Sequence, residues 1–476
     1  MHPAQPLRYA RTRRQEFVAQ LKEFLRFPSV SSQPERSGDM GKCAQWLARH
    51  LQGIGLDGVR VIRTRGNPIV YASWLRACGR PTLIIYGHYD VLPGEPLREW
   101  RTPPFKPTLK NGNLHARGAA DDKGQLFSHV KALESYLKTT RALPVNVKCI
   151  FEGEEEIGSP HLTSFIARNK RALRADAAVI SDTKMLAPDR PAISYAQRGG
   201  LRAEIEVSGP AHDLHSGSFG GAVHNPLQAL CEMIAELHDA NGRVAIPGFY
   251  DDVQSWGEKE RSFMARNGPG DEQILRDAQV EQAWGERGFS LYECISIRPA
   301  LTLNGISGGH QGRGSKSIIP SRAVAKLSFR LVPNQDPEKV AQLFRDHIAH
   351  ITPATVRSVV RTFSPIQPAV VDRHHPAVQA AALAYKQGFG FPPVFIRSGG
   401  SIPVVNTFQE ILGIPTVLMG FGLPDDHIHG PNEKFHLPNF FKAIATSIWY
   451  LSIAAKMGKK QPDQAQNEVQ TEWTNP

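Results

Sequence analysis

Pro81-Thr82-Leu83-Ile84-Ile85-Tyr86-Gly87-His88-Tyr89-Asp90-Val91-Leu92-Pro93-Gly94-Glu95-Pro96 is the stretch on which the fold turns. Leu83, Ile84 and Ile85 follow one another without alternation, the pattern of a strand covered on both faces, as in a parallel sheet. The run stops at His88 and Asp90, and open α/β sheets bind ligands beyond their strand ends. His88 is thereby a candidate metal ligand or acid/base. The same His-x-Asp also reads as a local hydrogen-bonded pair, so the choice rests on what the other strand ends carry.

They carry acids. Asp121 and Asp122 precede a helix predicted over 125–138, where Leu126, Val130, Leu133 and Leu137 form one apolar stripe. Two acids there serve either as N-cap and dipole partners or as ligands. A strand predicted over 145–151 runs into Glu152-Gly153-Glu154-Glu155-Glu156-Ile157-Gly158, and Ala177–Ile180 runs into Ser181-Asp182. Imidazole and carboxylate without thiolate suit a hydrolytic zinc or manganese centre.

From about Gln197 the texture changes. Leu201, Ala203, Ile205 and Val207 alternate with Arg202, Glu204 and Glu206, as in a strand with one wet face. A helix carrying Leu227, Leu230, Ile234 and Leu237 follows, then a long irregular insertion over 241–314, a strand over 324–331, a helix with Val340, Leu343, Phe344 and Ile348, and a strand over 355–363. Half-exposed strands with two helices make an α+β, ferredoxin-like layer. The α/β rhythm resumes at Pro376 with a helix over 377–386, a strand over 415–420 and a final helix over 439–455. The expected fold is α/β: a phosphorylase/hydrolase-like three-layer catalytic domain in 1–196 and 365–456, with an α+β ferredoxin-like lid inserted at 197–364. Residues 457–476 are polar and expected to be disordered.

A chain of 476 residues supports two large domains, and 41% hydrophobic with 21% charged residues is ordinary for a soluble globular protein. No membrane span is expected. The Arg-rich start leads straight into a helix over 15–27 with Phe17, Leu21, Phe24 and Leu25 inward, so it is not read as a signal peptide. Net charge +11 comes without long Lys/Arg blocks or basic-aromatic interleaving, which argues against nucleic acid and for solubility or steering of anionic substrates. Five cysteines without a CxxC point to neither disulfides nor thiolate zinc, and to the cytoplasm.

Gly87-His88-Tyr89-Asp90-Val91, Arg117-Gly118-Ala119-Ala120-Asp121-Asp122-Lys123-Gly124, Glu152-Gly153-Glu154-Glu155-Glu156-Ile157-Gly158-Ser159, Ser181-Asp182 and His429-Gly430-Pro431-Asn432-Glu433 stand in the order of the di-zinc aminoacylase/carboxypeptidase family, which this chain resembles over nearly its whole length. It is most similar to the dipeptidase branch, through Asp213-Leu214-His215-Ser216-Gly217, Ile246-Pro247-Gly248, Lys316-Ser317-Ile318-Ile319-Pro320, Phe329-Arg330-Leu331-Val332-Pro333 and Gly399-Gly400-Ser401-Ile402-Pro403.

The resemblance implies two divalent ions, zinc first with manganese or cobalt as alternatives. Asp121 would bridge them, His88 and Asp182 would hold one, and Glu156 and His429 the other. Asp90 would fix the ring of His88, and Glu155 would be the general base on a water between the metals. It further implies that His215 stabilises the oxyanion across a homodimer formed through the lid, that Arg330 clamps the substrate's C-terminal carboxylate, and that Ser317, Gly400 and Ser401 add hydrogen bonds. Glu154 leaves base and ligand open by one position, and His427 competes with His429, whose spacing to Asn432-Glu433 is the better match. The implied activity is hydrolysis of dipeptides or short peptides with a free C-terminal carboxylate, with N-acyl or N-carbamoyl amino acids as the alternative substrates.

Overall fold

The computed structural model describes residues 1–458, and the tail expected to be disordered lies outside them from position 459 on. The chain divides into two compact units: Met1–Tyr195, Val371–Ile396 and the chain from Pro403 on make the first, Ala196–Val370 and Arg397–Ile402 the second.

In the first unit the opening stretch is a strand, Thr82–His88 (β3), preceded by β1 (Asp57–Ile62) and β2 (Ile69–Trp74) and followed by β4 (Asn146–Glu152), β5 (Ala177–Ile180), β6 (Ala192–Gln197) and β7 (Thr416–Met419). Their spatial order is β1-β2-β4-β3-β5-β7-β6. β4, β3, β5 and β7 are mutually parallel, and β2 and β6 flank them antiparallel. The unbroken apolar run in β3 is explained by this central place: Leu83 to His88 are all buried. Parallel neighbours also bring the ends of β3, β4 and β5 to one side of the sheet.

The helix predicted over 125–138 runs Lys123–Thr140 and is buried along nearly its whole length, against β3 and the helices Ala4–Thr12 and Leu437–Ala454. The Arg-rich start, expected only to lead into a helix, is itself helical over Ala4–Thr12, with Pro6 and Ala10 inward. Three short antiparallel strands, Thr108–Lys110, Asn113–His115 and Lys434–His436, form a small sheet beside the main one.

The second unit has the order β-α-β-β-α-β: Gly199–Ser208, Pro226–Ala235, Ala300–Gly308, Arg322–Leu331, Pro337–Ile351 and Arg357–Ile366. Its four antiparallel strands lie 2-3-1-4, the ferredoxin-like arrangement. Ile205, Ala325, Phe329 and Phe344 centre its core. The insertion expected to be irregular instead holds the helices Glu258–Asn267, Asp271–Ala278 and Leu291–Cys294 and the edge strand Ala300–Gly308. That strand is mostly exposed and its register slips between Leu303 and Gly305, so no two-residue alternation marks it. Arg397–Ile402, expected with the catalytic domain, packs in the second unit because the buried Arg198 guanidinium donates to the carbonyls of Cys294, Arg298 and Gly399.

Candidate metal centre

Three strand ends and two loops of the first unit converge. β3 ends on His88, β4 ends on Glu152 and continues into the 3-10 turn Glu155–Ile157, and Asp182 follows β5. Asp121 lies between strand Asn113–His115 and helix Lys123–Thr140. His429 precedes strand Lys434–His436, and because His115 pairs with Lys434 the two loops leave the small sheet at the same end. Gly87 leaves room beneath His88, since a Cβ there would stand 2.8 Å from Asp122 Oδ2.

Asp121 sits between two imidazoles. Its Oδ1 lies 3.1 Å from His88 Nε2 and its Oδ2 2.9 Å from His429 Nε2. Asp182 Oδ2 is 3.9 Å from His88 Nε2, and Glu156 Oε2 is 3.6 Å from His429 Nε2. The ligand atoms of His88, Asp121 and Asp182 lie within 4.8 Å of one another, as do those of Asp121, Glu156 and His429. The five expected ligands are thus gathered as two groups sharing Asp121. His427 belongs to neither.

The acids are crowded beyond what they tolerate as bare anions. Two carboxylates 4 Å apart repel by about 4 kcal/mol at an effective dielectric of about 20. Burial, and then the charge of Asp121, pushes Glu156 up to about 10 and Asp182 well above the carboxylate range. Burial also raises Asp122 to about 8. Asp121 itself, despite burial, is held low by hydrogen bonds from His429 and His88. Three acids and two imidazoles, with Asp121 common to both groups, are a donor set that divalent cations fit, and the absence of thiolate from it suits zinc, manganese or cobalt.

Supporting contacts orient these groups. His88 Nδ1–H donates to the Asp90 main-chain carbonyl at 3.1 Å, which leaves Nε2 as the ligand atom. The Asp90 carboxylate, expected to orient that ring, stands farther off at 3.4 Å and accepts instead from the amides of Glu155 and Glu156. Its two oxygens shape the acidic turn. Asp122 makes no N-cap bond; its Oδ2 accepts from the His88 amide. Glu154 faces away and accepts from the Asn67 amide and from His161, which separates it from the pair Glu155 and Glu156. Glu155 makes no side-chain hydrogen bond or ion pair among the described residues, and burial with the nearby Asp121 raises its carboxyl to about 7.

Three further side chains brace the centre without any signal in the strand-end pattern. Gln125 Nε2 donates to the Ala120 carbonyl, while its Oε1 accepts from the amides of Phe421 and Gly422. The hydroxyl of Ser181 donates to the Met419 carbonyl and accepts from His129 Nε2–H, fixing the residue beside Asp182. Glu433 accepts from the amides of Gly118, Ala120 and Asp121. Only their place inside or beside the quoted motifs hinted at them.

In the second unit the expected substrate residues form two groups. His215 lies in strand Leu214–His215, opposite Ile318 and next to Ser317, whose carbonyl accepts from the Ser216 amide. Arg330 donates to Ser401 Oγ at 3.3 Å, and that hydroxyl donates to the Arg198 carbonyl. The Gly400 amide donates to Ser398.

A profile of peptidase family M20/M25/M40 matches residues 84–451. Among curated proteins, the chain is 32% identical to Cys-Gly metallodipeptidase dug1 of Schizosaccharomyces pombe, over 92% of this chain and 95% of that one. It is 30% identical to human Beta-Ala-His dipeptidase, over 90% and 88%. Among solved structures, the dipeptidase Dug1p of Saccharomyces cerevisiae superposes with a TM-score of 0.88 at 27% identity, over 96% of this chain and 99% of that one. Human carnosine dipeptidase 1 gives 0.86 at 29%, over the same shares.

Proposed function

Because the chain belongs to peptidase family M20/M25/M40, and is a metallodipeptidase by its likeness to dipeptidases along most of its length, we propose that it cleaves dipeptides with a free C-terminal carboxylate through a centre of two divalent ions, zinc first. Its relatives act on Cys-Gly and on Beta-Ala-His. His88, Asp121 and Asp182 hold one ion, and Asp121, Glu156 and His429 the other. When bound, such ions polarise the scissile carbonyl and lower the pKa of a water.

The remaining work belongs to the chain. Glu155 takes the proton of the attacking water and delivers it to the leaving amine as the C–N bond breaks. A carboxyl next to the ligand Glu156 and with no hydrogen-bond partner of its own among the described residues can do both. This freedom of Glu155, beside ligands that are all engaged, is the observation that carries the reading. Arg330 clamps the C-terminal carboxylate with its guanidinium fork, supported by Ser401. His215 stabilises the oxyanion in the partner's site, with Ser317 and Gly400 adding hydrogen bonds.

The dimer forms through the second unit, a reading supported by Leu303 and Ile306 on one unpaired edge strand and Val359 and Phe363 on the other, all exposed. No helix among the described residues is long and apolar enough to cross a membrane. Five free cysteines support a cytoplasmic setting.

A substrate panel tests this. Dipeptides should be hydrolysed, and the same dipeptides amidated at the C-terminus should lose most of their kcat/KM. Arg330→Met should lose activity on the free acid and leave the amide unchanged. Faster turnover of N-acetyl or N-carbamoyl amino acids than of dipeptides would reject the reading.

A further inference from the structure

Glu433 is completely buried and touches no expected ligand side chain, yet it is bound to the loop that carries one of them at four points. Its Oε1 accepts from the amides of Ala120 at 2.9 Å and Asp121 at 3.1 Å. Its Oε2 accepts from the Gly118 amide and from Arg117 Nη1, both at 2.9 Å. Its own carbonyl accepts from the Ala116 amide. Four residues upstream stands His429, whose Nε2 meets Asp121 Oδ2.

The segment between them has no regular ladder of its own. His429 and Asn432 both have a φ of 64°, and the Asn432 side chain is spent on the Arg101 amide and the Glu99 carbonyl. The paired strands Asn113–His115 and Lys434–His436 bring the two loops to one end of the small sheet, and beyond that end Glu433 clasps the Asp121 loop to the His429 segment. We propose that Glu433 is a positioning residue for the ion shared by Asp121, Glu156 and His429, setting its affinity by holding the Asp121 amide in register with the His429 segment. The group formed with His88 and Asp182 depends on it less, because those two side chains follow rigid neighbouring strands, β3 and β5.

This rests on the two-ion reading, and the test separates the two. Metal-stripped wild type and Glu433→Gln are titrated calorimetrically with Zn2+ alone, and their metal content is measured after dialysis. An amide nitrogen in place of one oxygen would face main-chain N–H donors. The expected result is two ions in wild type, and in the variant one ion that shifts little, Asp121 being common to both groups, with a second weakened about 10–100-fold and kcat restored by excess Zn2+. Glu433→Asp keeps the charge but is too short to reach both amide pairs, and should fall between. Equal weakening of both ions, wild-type affinity for both, or failure of both variants to fold would each overturn the proposal and leave Glu433 a staple of the fold. Fewer than two ions in wild type would instead overturn the two-ion reading beneath it.

Discussion

Glu155 and Glu156 are consecutive, and one carboxylate decides how they part. Asp90 accepts both of their amides, so the turn is held with the Glu156 carboxylate against His429 and that of Glu155 unengaged. Glu155→Gln should therefore retain both ions by elemental analysis while kcat falls about 10²–10⁴-fold; turnover within a few-fold of wild type would remove Glu155 as the base. That the five residues expected as ligands would gather was legible because each ends an apolar run or sits in a short motif, and strand ends in a parallel sheet must meet. Glu433, Gln125 and His129 were not. Their partners are main-chain amides and carbonyls, one guanidinium and one hydroxyl, up to 316 positions away, and such bonds leave no periodic trace. Asp90 was half legible: its closeness to His88 is local, but its carboxylate bonds to a turn 65 residues on.

At the scale of elements, helix Lys123–Thr140 holds the clearest energetic conflict. His129 on that helix is buried and lowered to about 4, and His50, packed against the same helix, is lowered to about 3, by burial first and then by Lys131. The unfolded chain takes up these protons near pH 6.5 and the folded chain does not. Stability is therefore lost as pH falls from about 6.5 toward 4, and His129 alone contributes up to about 3 kcal/mol of that loss. His129→Gln retains a donor for Ser181 and should flatten the acid limb of the melting temperature by close to one proton; an unchanged slope would contradict a neutral buried His129. The ferredoxin-like unit was legible where its strands alternate. Its edge strand Ala300–Gly308 was not, since an exposed, slipped edge offers neither alternation nor a buried run.

For the whole molecule, two edges with exposed apolar residues predict association. Light scattering should give twice the 52.6 kDa of one chain. Ile306→Glu or Phe363→Glu, on the two edges, should include one that yields a monomer with impaired turnover, whereas a monomeric wild type would remove the dimer and the assignment of His215 to the partner's site. The central claim is that hydrolysis of a dipeptide is carried out by the metal centre of the first unit. Its most direct test is the activity of chelator-stripped protein on an unmodified dipeptide, before and after stepwise return of Zn2+, Mn2+ or Co2+. The account predicts no turnover when stripped and recovery that saturates at two ions per chain. Turnover that survives with no ion bound would contradict it.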